Sequence, residues 1–221
     1  MNYYSENDIK KIVADVLASC GIGDISKSKG MEIPVEISAR HVHLCKADME
    51  ALFGANYTLT RKRDLSQPGQ FLCEERVKLV TQSGEIANVA VLGPERKDTQ
   101  VELSLTDARI LGIKAPIRLS GDLTGASDVV IVGPKGVIAA KGSVIIAKAH
   151  VHMTPADAKH YQVEHGQSVS VRMGTQRQIT LNDVQVRVSP DFRLAVHIDY
   201  DEANAAQLSG SQIIGYLLKN G

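Results

Sequence analysis

Apolar and polar positions alternate in short, strand-like runs along the chain after residue 31. Gly, Pro and Asn-Asp pairs separate these runs at spacings typical of barrels or sandwiches. The runs are MEIPVEIS (31–38), RVKLVTQ (76–82), IANVAVLG (86–93), APIRLSG (115–121), DVVIVGP (128–134), GVIAA (136–140), SVIIAKAHV (143–151), QSVSVRM (167–173), QITLNDVQVRV (178–188) and RLAVHID (193–199). Helical spacing is confined to short stretches at 46–54, 105–111, 154–162 and 200–208. The sequence therefore predicts a mostly β protein with short helices.

A different pattern occupies residues 1–30. Between residues 5 and 19, apolar side chains recur at the spacing of one helix face: Ile9, Ile12, Val13, Val16 and Leu17. Ser5 can cap the start of this helix, and the following segment GIGDISKSKG (21–30) has the composition of a flexible linker. We expect an amphipathic helix on a linker. Its apolar stripe either packs on its own domain or on a sister subunit, or it docks on a partner.

One segment of the chain is repeated. ARHVHLCKADMEALFG (39–54) has a counterpart in KAHVHMTPADAKHYQVEHG (148–166), where His-Val-His is again followed by a short helix near an Ala-Asp pair. We therefore expect two similar small β-barrel domains, at residues 31–125 and 126–221, with the boundary in the loop-like stretch LSGDLTGASD. The two histidine motifs can then face each other across the interface.

Composition excludes several classes of function. The 25 Lys and Arg residues balance the 25 Asp and Glu residues, so no net basic charge holds a nucleic acid or an anionic membrane. The first twenty residues do not resemble a secretion signal, and no later stretch is long and apolar enough to predict a membrane span. The three cysteines are widely spaced, which argues against a disulfide framework and favours a reducing, cytosolic compartment.

Four of the seven histidines lie in two His-x-His pairs, His41 with His43 and His150 with His152. Residues i and i+2 of a strand project from the same face, so each pair of imidazoles can grip one metal ion such as zinc. A single pair is weak evidence, but its recurrence within a repeat strengthens the prediction. A catalytic site needs a third protein ligand and one open position. Glu102 and His197, each in an otherwise apolar strand, are the candidates, although either could instead face water at a strand edge.

Arg96 lies in LGPERKDTQVE, six residues before Glu102. A guanidinium beside a metal cluster would suit an anionic substrate because it binds phosphate or carboxylate through a bidentate fork. The sequence alone equally allows a solvated charge in a loop. Motifs of serine hydrolases, nucleotide hydrolases and dinucleotide-binding proteins are missing from the sequence.

Five ordered segments give the chain a family resemblance over roughly residues 31–205. They are ISARHVHL, LSQPGQF, LGPERKDTQVELSLTDARILGI, AHVHMTPADA and VSPDFRLAVHIDYDEANAA. Together these segments resemble the PduL-type phosphate acyltransferases (phosphate propanoyltransferases) associated with bacterial microcompartments.

The resemblance implies a dinuclear zinc site between two β-barrels, with two zinc ions per chain. One zinc would be held by His41, His43 and Glu102, and the other by His150, His152 and His197. It further implies that Arg96 is catalytic and binds phosphate. Coenzyme A would lie along the strand that enters the first motif, against the backbone of Ile37, Ser38 and Ala39. The basic side chains expected to assist at positions 83 and 90 are replaced by Ser83 and Ala90.

The activity that the resemblance implies is the interconversion of a short-chain acyl-CoA and inorganic phosphate with acyl phosphate and free coenzyme A. The acyl group would be propanoyl or acetyl. The helix at residues 5–20 resembles an encapsulation peptide that docks on microcompartment shell or core proteins, which implies residence inside a microcompartment of the bacterial cytoplasm. A homo-oligomer is compatible with the sequence.

Two other functions fit the histidine pairs. A dinuclear zinc hydrolase would attack a thioester or ester with metal-bound hydroxide. A structural zinc protein acting as an adaptor would use closed four-ligand sites. The amidohydrolase barrel, in which His-x-His also occurs, needs a longer chain with regular alternation of strands and helices.

Overall fold

A computed structural model describes residues 5, 11–13, 15–16, 32–209 and 213–218. Residues 11–13 and 15–16 are helical and exposed. The rest of the predicted amphipathic helix and its linker lies outside the described residues, so the docking role of this segment stays a prediction. No helix in the described part of the chain is long and apolar enough to cross a membrane.

Strands dominate the described residues from 32 onward. In chain order the elements are β1 (Glu32–Ser38), β2 (His41–His43), α1 (Lys46–Phe53), β3 (Arg61–Asp64), β4 (Phe71–Val80), β5 (Glu85–Gly93), β6 (Gln100–Leu103), α2 (Leu105–Ile110), β7 (Ile117–Arg118), β8 (Ser127–Val132), β9 (Val137–Ala147), β10 (His150–Met153), α3 (Pro155–Tyr161), β11 (Ser168–Met173), β12 (Thr180–Val188), β13 (Ala195–Asp199), α4 (Tyr200–Ala205) and β14 (Ile213–Leu218). The four predicted helices are confirmed, and the mostly β class is confirmed with them.

Two strands were not predicted, and one was predicted as two. β3 is composed only of charged residues, RKRD, and β14 is an unbroken apolar run, IIGYLL, so neither shows alternation. The predicted run GVIAA and residues 143–147 of the run SVIIAKAHV join into the single strand β9, which continues through Gly142 at a φ of +56°. Glycine adopts this left-handed conformation without steric strain, so it does not end the strand. His150 and Val151, at the end of the second run, belong to β10.

Strand pairing forms two closed barrels, as predicted. The central barrel is the ring β4-β5-β2-β6-β9-β8, with β3 attached to β4 and β7 to β9. The terminal barrel is the ring β1-β13-β10-β12-β11-β14. Each barrel encloses its own apolar core, around residues such as Val42, Leu79 and Ile131 in the first and Val151, Val171 and Leu217 in the second.

The barrels do not divide the chain at the predicted 31–125 and 126–221. β8 and β9 complete the central barrel, whereas β1 pairs with β13 and β14 in the terminal barrel. Each repeat thus gives the strand that precedes its His-x-His motif to the other barrel, β1 in the first repeat and β9 in the second. The stretch at 119–128 is a loop that leads into β8 within the central barrel, and its composition does not distinguish such a loop from a domain boundary.

The two repeats match in register as well as in topology. His41 pairs with Glu102 across β2 and β6, and His150 pairs with His197 across β10 and β13. The two third-ligand candidates therefore occupy equivalent positions in the two barrels. This equivalence could not be read from the sequence, because one is a carboxylate and the other an imidazole.

Two of the helices that follow site strands, α3 and α4, begin at well-formed caps, whereas the Cys45 side chain makes no capping hydrogen bond at the start of α1. The Thr154 side chain accepts a hydrogen bond from the backbone of Asp157, whose carboxylate accepts one from the Thr154 backbone, and Asp199 and Glu202 form the same capping box at α4. These reciprocal bonds satisfy amide groups that a helix start leaves unpaired. α2 is capped partly from the other barrel, because the Thr106 amide donates to Asp201 Oδ2 at 2.8 Å.

Candidate active site between the two barrels

The first histidine pair and Glu102 form a compact, buried cluster in the central barrel, and we call it the first triad. The Nε2 atoms of His41 and His43 lie 3.5 and 3.9 Å from Glu102 Oε1. His41 Nδ1 lies 2.8 Å from the Ala39 carbonyl oxygen. Since a carbonyl only accepts, Nδ1 donates there, which leaves the Nε2 lone pair directed at the cluster.

The pKa shifts in the first triad favour an ionised Glu102 and a neutral His43. Burial opposes ionisation of Glu102, but His41 and His43 outweigh it and hold the pKa of this carboxyl well below its usual range. Burial lowers the pKa of His41, but the facing Glu102 carboxylate outweighs burial and raises it. Burial, followed by the charge of His41, lowers the pKa of His43 well below normal. A charged carboxylate beside a neutral imidazole is therefore available inside the barrel.

These residues fit a zinc ion. One ligand atom from each member of the first triad lies within 4.8 Å of the others, the donors are of the types that zinc prefers, and all three residues are buried. His43 Nδ1 is buried without a hydrogen-bond partner, a condition that costs free energy unless another group compensates. The site can hold a metal ion, as the sequence predicted.

His150, His152 and His197 form the second triad, in the terminal barrel. Their ring centroids are 4.7 to 5.2 Å apart. His150 Nδ1 lies 2.9 Å from the Lys148 carbonyl oxygen, which repeats the arrangement of His41, whose Nδ1 also donates to the carbonyl oxygen two residues earlier. Both ring nitrogens of His152 are buried without a partner. The three histidines are thus brought together as the sequence suggested.

The second triad is electrically unlike the first, because it contains no carboxylate. Burial, followed by His197 and His150, lowers the pKa of His152 to about 2. Burial, followed by His150, lowers the pKa of His197 to about 3. Burial also lowers the pKa of His150, so all three members are neutral near pH 7. Among the described residues only the first triad gathers its ligand atoms within 4.8 Å.

Neighbouring groups hold the second triad in this more open form. His152 stacks on Phe192 with ring centroids 4.1 Å apart. His197 Nε2 lies 3.2 Å from Gln67 Nε2, and His197 Nδ1 lies 3.8 Å from Glu36 Oε2. Gln67 and Glu36 come from outside the two histidine motifs, and no spacing in the sequence indicated that they reach this triad.

Two half-buried arginines face the triads. Arg96 donates from Nη1 to Ser120 Oγ at 2.9 Å, and burial lowers its pKa. Arg187 lies beside His152 in the register of β10 and β12, over the Phe192 ring at 5.6 Å, and burial also lowers its pKa. Within the described ranges, neither guanidinium has a carboxylate partner within ion-pair distance. Arg187 was missed from the sequence because only the strand register places it at the site.

Two further polar residues support Glu102 and Arg96. Gln100 Nε2 donates to Glu102 Oε1 at 2.6 Å and lies 2.9 Å from Ser120 Oγ, while Gln100 Oε1 accepts from the Gly121 amide at 2.8 Å. Ser120 thereby links the carboxylate side of the site to Arg96. Gln100 could have been found from the sequence, because it stands two residues before Glu102 on the same face of β6.

Both triads and both arginines line one cleft of about 720 Å³ between the barrels. The predicted coenzyme A contacts Ile37, Ser38 and Ala39 line the same cleft at the end of β1. A cleft of this size is large enough for a small-molecule substrate. The contact of these three residues with coenzyme A stays a prediction.

Comparison with known proteins places this chain in a family. The model of the phosphate propanoyltransferase family matches residues 34–209. The chain is 48% identical over 201 residues to the phosphate propanoyltransferase of Alkaliphilus metalliredigens (strain QYMF), covering 91% of this chain and 93% of that one. It is 44% identical over 214 residues to that of Clostridioides difficile (strain 630), covering 97% and 99%. Over 183 residues it is 48% identical to that of Thermotoga maritima, covering 82% and 87%. The chain therefore belongs to the phosphate propanoyltransferase family.

Proposed function

We propose that this protein transfers a propanoyl or acetyl group between coenzyme A and inorganic phosphate in the cleft between its barrels. The observation that carries the proposal is the convergence on that one cleft of the two triads and of two arginines that have no carboxylate partner among the described residues, in a chain of this family. The arginines suit an anionic co-substrate, and the buried donors suit a metal.

Arg96 and Arg187 are proposed to hold phosphate. Both guanidiniums are partly withdrawn from water and unpaired with carboxylates among the described residues, so an incoming oxyanion would meet two fixed cations. Charge-assisted bidentate bonds of this kind are shorter and roughly twice as strong as neutral ones. Ser120, hydrogen-bonded to Arg96, would keep one guanidinium aimed at the cleft.

The two triads are proposed to hold one zinc ion each. His41, His43 and Glu102 would provide two nitrogens and one oxygen, and His150, His152 and His197 three nitrogens, so each set leaves a position open. Bound zinc would supply Lewis-acid stabilisation of negative charge that develops on oxygen or sulfur. Gln100 would keep the Glu102 carboxylate in place by its hydrogen bond to Oε1.

In the direction from acyl-CoA, a phosphate oxygen attacks the thioester carbonyl carbon. The C–O bond forms, the C–S bond breaks, and coenzyme A leaves as a thiolate. Arg96 and Arg187 fix the phosphate beside the thioester, so a bimolecular encounter becomes a step within one complex. This direct transfer needs no acyl-enzyme, and an acylated protein or ping-pong kinetics would contradict it.

Placement in a bacterial microcompartment is also part of the proposal. Ile12, Val13 and Val16 of the N-terminal helix are 48 to 53% exposed, as an apolar face that docks on a shell or core protein would be. Deleting residues 1–30 should leave the activity of the purified protein intact but abolish its co-sedimentation with assembled compartments. Unchanged co-sedimentation would argue for packing within the protein's own assembly.

The test of the activity is release of free thiol from propanoyl-CoA with and without inorganic phosphate. We expect release that depends on phosphate, bound zinc in the purified chain, and loss of activity in both His41→Ala and His150→Ala. Phosphate-independent release would favour the zinc hydrolase instead. Bound metal without any turnover would favour a structural zinc protein.

A further inference from the structure

A row of four paired residues crosses the face of the central barrel that borders the cleft. The strand register pairs Glu102 with His41, His41 with Ala90, and Ala90 with Arg76, on β6, β2, β5 and β4. Residues that pair directly in this way project from the same face of a sheet. All four line the cleft. Arg76 therefore shares the face of the first triad, although its Cα lies two strands, or about 10 Å, from that of His41.

The Arg76 side chain leaves the barrel on the cleft side of β4. Its neighbour Val77 is 3% exposed and belongs to the apolar core, whereas Arg76 is half-buried. On the next strand, Val89 is buried in the same core and Ala90 is half-buried. Successive side chains of a strand point to opposite faces, so the core positions of the two valines direct Arg76 and Ala90 towards the cleft.

Only one nitrogen of the Arg76 guanidinium is bonded within the described part of the protein. Nη1 donates to the carbonyl oxygens of Cys73 and Glu75 at 2.6 and 2.7 Å. Among the described residues, Nε and Nη2 make no hydrogen bond, and no carboxylate lies within ion-pair distance of the guanidinium. The N–H groups of Nε and Nη2 lie side by side and form a fork that fits two oxygens of a phosphate group. The two carbonyl bonds hold this fork in place, so less side-chain freedom is lost when an anion binds.

Between the first triad and Arg76, the wall of the cleft is apolar. Ala90 contributes only a methyl group, and Leu72 and Leu92, which pair with each other across β4 and β5, line the cleft beside it. Arg63, paired with Leu72 on β3, is exposed and adds positive charge on that side of the cleft. The wall thus offers metal-ligating side chains at one end, an apolar middle, and a cation with a free fork at the other end.

We propose that Arg76 binds the phosphate groups of coenzyme A while the thioester lies at the triads. Coenzyme A has the matching layout, because its sulfur and its phosphate groups stand at opposite ends of a flexible, uncharged arm. The apolar wall at Ala90, Leu72 and Leu92 receives this arm. The inference rests on the proposed function, since it takes acyl-CoA as the substrate, and it adds the residue that recognises the part of that substrate that does not react. Arg76 contacts no reacting atom, so it is a binding residue.

The test compares thioesters that differ only in their phosphate groups. Propanoyl-CoA carries all of them, propanoyl-dephospho-CoA lacks the 3′-phosphate, and propanoyl-pantetheine carries none. Arg76→Met removes the charge, and Arg172→Met is the matched control, because Arg172 is half-buried on β11 and does not line the cleft.

We expect Arg76→Met to lower kcat/KM for propanoyl-CoA about 10- to 100-fold and to leave kcat/KM for propanoyl-pantetheine within about twofold of wild type. Arg172→Met should leave both values unchanged. A loss that disappears with propanoyl-dephospho-CoA assigns the contact to the 3′-phosphate, and a loss that persists assigns it to the diphosphate; both results support the proposal. Equal losses with propanoyl-CoA and propanoyl-pantetheine would instead show a structural effect and overturn it.

Calorimetric binding of coenzyme A separates this inference from the proposed function. Arg76→Met should weaken binding of coenzyme A about 10- to 100-fold and leave binding of pantetheine unchanged. If that result is found but wild type shows no phosphate-dependent thiol release, the proposed function fails and the phosphate contact stands. If wild type transfers the acyl group and Arg76→Met matches it with propanoyl-CoA, the contact is overturned and the proposed function stands. Wild type that binds coenzyme A no more tightly than pantetheine also overturns the contact.

Arg76→Lys keeps the proposal testable should Arg76→Met not fold. Lysine keeps the positive charge and a donor for the two backbone carbonyls, but it lacks the planar fork. It must therefore lower kcat/KM for propanoyl-CoA at least about threefold without lowering that for propanoyl-pantetheine. Unchanged values, or parallel losses with both thioesters, contradict the proposal.

Discussion

Replacement of Arg96 by methionine separates binding of the anion from stability of the fold. Arg96 is half-buried, contacts Ser120 Oγ at 2.9 Å, and has no carboxylate partner among the described residues. Methionine fills a similar volume without charge. A charge-assisted hydrogen bond contributes about 1.5–3 kcal/mol, so loss of a bidentate contact with phosphate removes about 2–4 kcal/mol of transition-state stabilisation. This corresponds to a fall in kcat/KM for phosphate of roughly 30- to 900-fold.

The fold should respond in the opposite way. Removing a partly buried, unpaired cation relieves desolvation, so the melting temperature of Arg96→Met should stay constant or rise. The assay is thiol release from propanoyl-CoA at varied phosphate, with the exposed Arg177→Met as the matched control. The reasoning is refuted if kcat/KM for phosphate changes less than about threefold, or if activity falls only together with the melting temperature.

Three further changes test other parts of the account. Glu102→Gln keeps the shape of the first triad but removes its charge, so it should release one zinc ion, measured by elemental analysis, while Glu85→Gln on the surface releases none. Burial, with the charge of Asp199, raises the pKa of Glu202 to about 7. Because the carboxyl ionises at lower pH in the unfolded chain, the wild-type protein loses stability as the pH rises from the unfolded pKa through about 7. Glu202→Gln should therefore have a higher melting temperature than wild type at pH 8 and the same melting temperature at pH 4. A strong chelator should abolish thiol release and zinc should restore it, and activity that persists in the metal-free protein would contradict a metal role.

The sequence predicted the strand-rich class and the four helices because their signals are local. Alternation, caps and the Gly and Pro punctuation act within a few residues. The closure of the barrels is not local. β1 pairs with β13, which lies far along the chain. Local composition therefore does not reveal that β1 and β9 belong to the barrel of the other repeat. We predicted the division at residue 125 from the loop-like composition of residues 119–128, but this stretch connects strands of the same central barrel.

The residues of the candidate site also differ in whether a local sequence pattern indicates them. The histidine pairs could be recognised because residues two apart on a strand project from the same face. Gln100, two residues before Glu102, could have been recognised for the same reason. Arg187, Gln67 and Glu36 reach the cleft through strand register and a hairpin loop, which sequence spacing does not encode. Sequence reasoning therefore missed groups that surround the two triads in the cleft, rather than the triads themselves.

The most direct test of the central claim is ³¹P NMR of the products formed from propanoyl-CoA and inorganic phosphate by the purified protein. The account predicts an acyl phosphate signal that grows in proportion to released coenzyme A and is lost in both His41→Ala and His150→Ala. Coenzyme A released with free propanoate and no acyl phosphate would contradict it, because phosphate would then not be the acceptor of the acyl group.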